Sequence, residues 1–231
     1  KCLVSGLPIV NRGSSTVNAR TGTFVLESFK NQTRKCYSCG DWLTDGVNID
    51  GGAFLCRYCY ERGVKDSLAA EPYVRKIKHF FKDQGVGFPK NIEIVILPPG
   101  QLIDKNNPDL KGHCRTHLRT NRMAGSSVLT HVIEILWGFN PDVFSSVVTH
   151  ELSHAVIAEA QFAALGKIDN VPYEEGRCEY TAYTFSQSRG LPDYIIDGFS
   201  KNQVENYRQE FLHVLAHPPE NIKTLLTAMD F

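Results

Sequence analysis

The sequence predicts an α+β fold in which short strands come first and longer helices follow. Residues 23–26 and 92–97 are short runs of strand-forming residues next to turn-forming Gly, Asn and Pro. From residue 141 onward, apolar side chains recur at helical spacing over much longer stretches. Strands grouped ahead of helices are typical of α+β proteins rather than of an alternating α/β sheet.

The chain is expected to divide into two domains at about residue 66. Residues 1–66 contain four paired cysteines, many Gly, Asn and Asp residues and only short strands. So small a segment buries little apolar surface, and we expect it to need a bound metal in order to fold. Residues 67–231 are long enough to enclose a core of their own.

The second domain is expected to begin with a helix and two strands. The helix covers residues 67–82, with Pro72 in its first turn. Its apolar residues at helical spacing are Leu68, Tyr73, Ile77, Phe80 and Phe81. Strands follow at residues 92–97 and 128–137. The polar segment between them, residues 100–125, is expected to be a loop.

Helices are expected to fill the rest of the chain. One runs from about residue 141 to residue 165, with Gly166 as its stop. Another covers about residues 174–188. The last, at about residues 201–228, is interrupted by Pro218-Pro219.

Composition narrows the classes of function. The 25 basic and 25 acidic residues balance, whereas a nucleic-acid binder normally has an excess of Lys and Arg. No segment approaches the roughly 20 apolar residues of a membrane-spanning helix, and no signal-type stretch opens the sequence. The 7 cysteines include two Cys-x-x-Cys pairs, which fit zinc in a reducing compartment better than disulfides. We therefore expect a cytoplasmic protein that binds neither nucleic acid nor membranes.

The segment His150-Glu151-Leu152-Ser153-His154 indicates a zinc peptidase. The two histidines are four residues apart on an expected helix, so both imidazoles lie on one face and can share a metal ion. Glu151 can take a proton from metal-bound water and pass it to a leaving amine. The alternative is a core helix with two hydrogen-bonded histidines. Burying these polar groups without a metal would be costly.

A third protein ligand is expected for a catalytic zinc, and it should come from later in the chain. Glu174 lies 20 residues after His154 and is followed by Glu175, with Glu179 one turn later. Each of these carboxylates could bind the metal, or it could accept a hydrogen bond from a metal-binding histidine and so orient the ring. Acidic residues are also common in the first turn of a helix, which is the simpler explanation for the first two.

Further residues can complete such a site. In zinc peptidases the strand ahead of the motif helix, here residues 128–137, often pairs with the substrate backbone. An oxyanion stabiliser is also expected. The candidates for it are Tyr180, Tyr183, Tyr207, His213 and His217. His113 and His117 are four apart as well, but we expect them to face solvent in the polar loop.

Cys36-x-x-Cys39 and Cys56-x-x-Cys59, with 16 residues between the pairs, form a structural-zinc pattern. Four thiolates close the coordination sphere, so this zinc would stabilise the fold rather than take part in chemistry. The alternative is four buried free thiols. A module of this kind can also serve as a docking surface for a protein partner.

Taken together, these motifs resemble the DA-one family of LIM-associated zinc peptidases over nearly the whole chain. The blocks that carry the resemblance are residues 34–39 (Arg-Lys-Cys-Tyr-Ser-Cys), 55–59 (Leu-Cys-Arg-Tyr-Cys), 150–155 (His-Glu-Leu-Ser-His-Ala) and 174–178 (Glu-Glu-Gly-Arg-Cys). The order and separations of the blocks are also similar to those of the family. The sequence departs from the LIM pattern at Ser5, because a second zinc ligand would be expected soon after Cys2.

The resemblance implies a zincin-like, gluzincin-type peptidase domain behind a LIM-like, treble-clef zinc module. It implies a catalytic zinc held by His150, His154 and Glu175, with Glu151 as the general base. It also implies a structural zinc held by the four paired cysteines. The implied function is that of a regulatory endopeptidase acting on protein substrates, with ubiquitin and ubiquitin-pathway proteins among its partners.

Two other functions remain open from the sequence. The chain could be a LIM-like interaction adaptor with an inactive peptidase-like domain. It could also be a zinc hydrolase that does not act on peptides, because the metal chemistry alone does not identify the substrate.

Overall fold

The computed structural model of the chain confirms the α+β class. It describes residues 1–6, 15–49, 53–98, 101, 110–121, 126–202 and 204–228. Short strands occupy the first part of the chain and helices the second. No helix among these residues combines the length and the apolar character that crossing a bilayer would require.

The first part of the chain is built from small antiparallel strand pairs. The pairs are β1 (Ser15–Val17) with β2 (Phe24–Leu26), β3 (Arg34–Lys35) with β4 (Trp42–Leu43), and β5 (Gly46–Asn48) with β6 (Phe54–Cys56). A 3₁₀ helix, Glu27–Gln32, follows β2, and helix α1 (Arg57–Arg62) follows β6. The four paired cysteines pack with Ile49, Phe54 and Leu55 into a small core of their own.

A three-stranded sheet supports the second part of the chain. Its order is β7 (Ile92–Ile96), β9 (Ser126–Ile135) and β8 (Gly112–Asn121), so β9 lies in the middle. Strand β9 is parallel to β7 and antiparallel to β8. Within the described residues, β8 has no strand on its other side and forms an edge of the sheet.

The helices of the second part pack on this sheet and on one another. They are α2 (Ser67–Asp83), α3 (Pro141–Leu165), α4 (Glu174–Ser188), α5 (Asp193–Ser200), α6 (Glu205–Ala216) and α7 (Ile222–Thr227). Helix α3 lies at the centre, in contact with β8, β9, α2, α4 and α7. It is apolar around most of its circumference because neighbours cover it on several sides. Gly166, with a φ of 67°, ends it in the left-handed conformation as expected.

Two details of helix α2 differ from the expectation. Leu68 is 80% exposed, so it does not belong to the apolar face that the pattern predicted. The buried residues of the helix are Ala70, Ile77, Phe80 and Phe81. Pro72 lies in the second turn rather than the first, because the helix begins at Ser67.

The expected loop at residues 100–125 is wrong for residues 112–121, whereas residues 101, 110 and 111 lie outside helices and strands as expected. Strand β8 occupies residues 112–121, while residues 100, 102–109 and 122–125 lie outside the described part. The interruption expected at Pro218-Pro219 is confirmed, because two helices, α6 and α7, lie on either side of these prolines within residues 201–228. Helix α5 was not predicted at all.

The two parts of the chain meet just ahead of α3. Val64 N–H donates to Phe139 O, and Gly138 N–H donates back to Val64 O, both at 2.8 Å. The Tyr37 hydroxyl donates to Trp137 O. These contacts join the cysteine-rich part to the segment that leads directly into the central helix.

Candidate metal centres

Helix α3 presents His150, Glu151 and His154 to a cleft. Leu152 and Ser153, which lie between the motif residues on the other side of the helix, are fully buried. Burial of that side fixes the rotation of the helix about its axis. The polar stripe predicted by the motif therefore faces the cleft.

Helix α4 brings Glu175 to the two histidines. Glu175 Oε2 lies 3.2 Å from His150 Nε2 and 3.5 Å from His154 Nε2. The two Nε2 atoms are 3.2 Å apart. The three predicted ligand atoms thus form a nearly equilateral triangle.

A zinc ion fits this triangle. Tetrahedral ligands with bond lengths of about 2.0–2.1 Å are roughly 3.3 Å apart, and the three separations lie on either side of that value. Glu175 Oε2 is buried and makes no hydrogen bond of acceptable geometry with the described residues. A metal ion would supply the partner that such a buried oxygen needs. The His/Glu group could therefore bind zinc.

The carboxylates of Glu174 and Glu179 lie on the Nδ1 side of the histidines, away from the Nε2 atoms that face the expected metal position. Glu174 Oε1 is 2.7 Å from His154 Nδ1, a hydrogen-bond distance. Glu179 Oε2 is 3.9 Å from His150 Nδ1, and Asn202 Nδ2 donates to Glu179 Oε1 at 3.0 Å. Carboxylates in this position orient metal-binding imidazoles and fix their tautomer. Of the roles left open by the sequence, this arrangement favours orientation of His154 for Glu174, whereas Glu179 is too far from His150 for a direct hydrogen bond.

Charge around the metal-free site favours a cation. Burial acts to lower the pKa of His150, but Glu175, Glu179 and Glu151 outweigh burial, and the pKa is raised. Burial likewise acts to lower the pKa of His154, yet neighbouring groups raise it well above its ordinary value. Burial acts to raise the pKa of Glu175, but the two histidines hold it well below its usual range.

Gly112 allows β8 to lie against the motif helix. A Cβ atom at this position would lie 2.7 Å from Glu151 Oε1 and 2.7 Å from Val147 Cγ1. Real side-chain atoms do not approach so closely, so only glycine leaves the Glu151 carboxylate where it is. The strand and the expected general base are thereby in direct contact.

The cleft between β8 and α3 has a volume of about 280 Å³. Its lining includes the motif residues together with Leu110, Gly112, Cys114, Thr116, Gln161, Ile168 and Tyr207. The sequence left open whether residues 128–137 pair with the substrate backbone or form a core strand, and the structure favours the core strand. That segment corresponds to β9, both of whose edges are paired, whereas β8 borders the cleft and, within the part of the chain that the structure describes, has an open edge.

Tyr207 is the only one of the five oxyanion candidates that lines the described cleft. Its ring stacks on His150 with 6.4 Å between centroids. Burial and the nearby Glu175 raise the pKa of Tyr207. Helix α6 can lie close enough to bring it there because Gly176 has no side chain; a Cβ atom would lie 2.5 Å from the Glu210 backbone.

The other four candidates are engaged elsewhere. Tyr183 packs on Phe211 with ring centroids 5.5 Å apart, and Tyr180 lies beside it. His213 stacks on Tyr173, and His217 lies next to His213. His113 and His117 are exposed, as expected, but they lie on strand β8 rather than in a loop.

The four paired cysteines form a second candidate centre. Their sulfur atoms lie within 4.8 Å of one another, and all four residues are buried. Cys39 Sγ and Cys56 Sγ are 3.9 Å apart, close to the roughly 3.8 Å expected for tetrahedral Zn–S bonds of about 2.3 Å. Hydrogen bonding among the four thiols lowers the pKa of Cys39 to about 7 and raises the pKa values of Cys36 and Cys59. This cluster could also bind zinc.

Asn140 connects the two candidate centres. Its Oδ1 accepts hydrogen bonds from the N–H groups of Asp142 and Val143, both at 3.1 Å, and so caps helix α3. Its Nδ2 donates to Ser38 Oγ at 3.2 Å and to Cys59 Sγ at 3.6 Å. One side chain, 1% exposed, therefore contacts both the start of the motif helix and an expected ligand of the structural zinc.

Comparison with known proteins yields one informative match. No protein-family model matches the chain, and no solved structure matches it. Among curated proteins, it is similar to Protein DA1-related 2 of Arabidopsis thaliana. The identity is 23% over 195 residues, which cover 70% of this chain and 36% of that protein. The match supports a DA1-like family.

The match has a limited extent, since it spans only about a third of the relative's own length. The match agrees with the resemblance to the DA-one family that the cysteine and histidine motifs indicate. The structure adds residues that sequence reasoning did not assign to the site: Gly112, Asn140 and Asn202. None of them belongs to a short motif, and their roles depend on contacts between elements distant in the chain.

Proposed function

We propose that this protein is a zinc-dependent endopeptidase. The observation that carries the proposal is the convergence of His150, His154 and Glu175 at 3.2–3.5 Å in a cleft. Three protein ligands with one side toward a cleft are typical of catalytic zinc, whereas structural zinc is enclosed by four. Glu151 also lines this cleft, where a general base is needed.

The role of each residue follows from its position. Bound zinc would supply a Lewis acid that polarises a carbonyl group and lowers the pKa of water. The Glu151 carboxylate would accept a proton from the attacking water and donate it to the leaving amine. The Tyr207 hydroxyl would donate a hydrogen bond to the substrate oxygen as negative charge develops there.

The open edge of β8 supports a peptide substrate. Among the described residues, no strand pairs with the outer edge of β8, so its backbone N–H and C=O groups offer a ladder on which an extended chain can pair. The strand is 10 residues long, so it can hold an internal segment of a protein rather than a terminus alone. Strand β8 thus takes the role that the sequence had suggested for residues 128–137.

The substrates we propose are proteins, and the ubiquitin pathway is the proposed setting in the cytoplasm. This part of the proposal is supported by the similarity to DA1-related 2 and by the motif blocks through which the sequence resembles the DA-one family. The proposed substrates and setting concern the function of the whole relative, and this chain matches only about a third of that protein. This part of the proposal is therefore tested separately, by comparing cleavage of ubiquitin-pathway enzymes with that of unrelated proteins.

The first experiment is digestion of β-casein by zinc-loaded protein and by Glu151→Gln. Glu71→Gln is the matched control, because it makes the same chemical change on the exposed face of α2. We expect Glu151→Gln to lose at least a hundredfold in rate while its melting temperature and zinc content stay unchanged. Equal digestion by Glu151→Gln and wild type would refute the proposal.

An interaction adaptor with an inactive peptidase-like domain is the second candidate. It is favoured by the closed, buried cysteine cluster, which leaves no open ligand position for chemistry. Zinc per chain separates the two candidates. About two zinc ions that fall to about one in His150→Ala support the enzyme. About one zinc ion, unchanged in that variant, supports the adaptor.

A further inference from the structure

The edge strand β8 carries a row of basic side chains beside the cleft. In an antiparallel pair, residues directly opposite each other point to the same face of the sheet. Cys114 is opposite the buried Ile133, and Thr116 is opposite the buried His131, so these two face the core. The alternate residues face outward and are all exposed and basic: His113, Arg115, His117 and Arg119.

The neighbouring strand neutralises one of the two arginine charges in this row. The residues of β9 opposite the row are Glu134, Val132, Thr130 and Val128, in the same order. Glu134 is the only acidic one, and it pairs with Arg115 at 2.8 Å while the Arg115 side chain remains 48% exposed. Arg119 has Val128 opposite it. Arg119 therefore carries a positive charge that no acidic residue opposite it on β9 neutralises.

The row begins at the candidate centre and extends away from it in one direction. Gly112, at the start of β8, contacts Glu151. Arg115 and Arg119 lie three and seven residues further along the strand, or roughly 10 and 24 Å at about 3.4 Å per residue. If an extended substrate segment paired with the outer edge of β8, every second side chain of the substrate would lie opposite one of these basic residues.

We propose that the cleft selects protein segments with acidic side chains at alternate positions on the N-terminal side of the cleaved bond. This inference rests on the proposed peptidase function. Antiparallel pairing is the more stable arrangement per residue. Because β8 runs from the candidate centre toward Arg119, an antiparallel substrate runs toward the centre and places its N-terminal residues over the row. Opposite charges on directly opposed residues stabilise such a pair.

Peptide binding to the Glu151→Gln variant tests the charge preference without cleavage. The probes are fluorescent 12-residue peptides in which Thr alternates with Asp, Asn or Lys, since Thr favours extended structure. We expect the Asp peptide to bind about tenfold more tightly than the Asn peptide and the Lys peptide to bind most weakly. This difference should shrink in 0.5 M salt, where exposed charges are screened.

Two variants made in the Glu151→Gln background locate the effect. Arg119→Gln should reduce the advantage of the Asp peptide about threefold. Arg75→Gln, on the exposed face of α2, removes the same charge far from β8 and should leave the advantage unchanged. Equal binding of the Asp and Asn peptides, or equal effects of the two variants, would overturn the inference.

Cleavage by the wild type tests the direction. Two chimeric peptides carry their Asp residues only in the N-terminal half or only in the C-terminal half, with Asn in the other half. We expect the first to be cut faster, and faster cleavage of the second would overturn the antiparallel arrangement. Cleavage without any charge preference would reject this inference and leave the peptidase proposal intact. Preferential binding of the Asp peptide with no cleavage of any substrate would reject the peptidase proposal instead.

Discussion

Replacing Asn140 with alanine should lower the free energy of unfolding by about 3 kcal/mol. Loss of the helix cap costs about 1 kcal/mol. The side chain also donates to Ser38 Oγ at 3.2 Å, Tyr194 Oη at 3.3 Å and Cys59 Sγ at 3.6 Å. Each of the two bonds to oxygen contributes about 1 kcal/mol, and the longer bond to sulfur adds little. Water cannot replace these partners easily, because Asn140 is 1% exposed.

Urea unfolding of the zinc-loaded protein measures this loss, and the melting temperature should fall by roughly 10 °C. Asn221→Ala is the matched control. Asn221 also caps a helix, accepting from Thr224 N–H at 2.8 Å, but it is exposed and caps only the short helix α7. Its replacement should cost no more than a single cap, about 1 kcal/mol. Equal losses in the two variants would refute the reasoning.

A third variant, Asn140→Asp, separates the cap from the contact with sulfur. Aspartate caps helices as well as asparagine does. It cannot donate to Cys59 Sγ, however, and it places a negative charge beside an expected thiolate. We therefore expect this variant to keep its helix and to release zinc faster than wild type when a chelator is added. Release at the wild-type rate would show that Asn140 does not support the cysteine site.

Three further predictions concern the candidate catalytic centre. Gly112→Ala should reduce the rate of casein cleavage at least tenfold with little change in melting temperature, because the new Cβ atom would displace the end of the Glu151 side chain. Glu174→Gln should weaken zinc binding about ten- to a hundredfold in a chelator competition, because it alters the hydrogen bond that orients His154. In the zinc-free protein, neighbouring carboxylates raise the pKa of His150, and Cys178 together with Glu174 and Glu175 raises the pKa of His154. The resulting stability is fully present below their ordinary pKa of about 6.5 and is lost as pH rises through the raised values. Unfolding of zinc-free protein at pH 6 and pH 9 should therefore show lower stability at pH 9.

The helices that carry the candidate centre were predictable from the sequence because their signals are local. Pro141 at the first position and Gly166 at the end set the bounds of α3 within the chain itself. The spacing of His150 and His154 requires only the geometry of one helix. The convergence of Glu175 on them could not be derived in this way, and only the resemblance to a known family selected it over Glu174.

Strand β8 could not be predicted because its own residues do not show the usual pattern of a strand. Its outward row is basic, and its inward residues Gly112, Cys114 and Thr116 are small or polar. The strand is held by pairing with the apolar β9, which is a contact between elements rather than a property of the segment. Charged residues are common on edge strands because they discourage aggregation. The same feature concealed the strand from a search for apolar alternation.

The hydrogen bond from Asn140 to Cys59 has a consequence for synthesis on the ribosome. The four cysteines occupy residues 36–59, so their cluster can form as soon as this short segment has emerged. Asn140 follows Cys59 by 81 residues, which take roughly 4–16 s to add at about 5–20 residues per second. We therefore expect the cysteine module to form before the motif helix has been synthesised. We expect it to act as a preformed surface on which the first turn of that helix is positioned during translation.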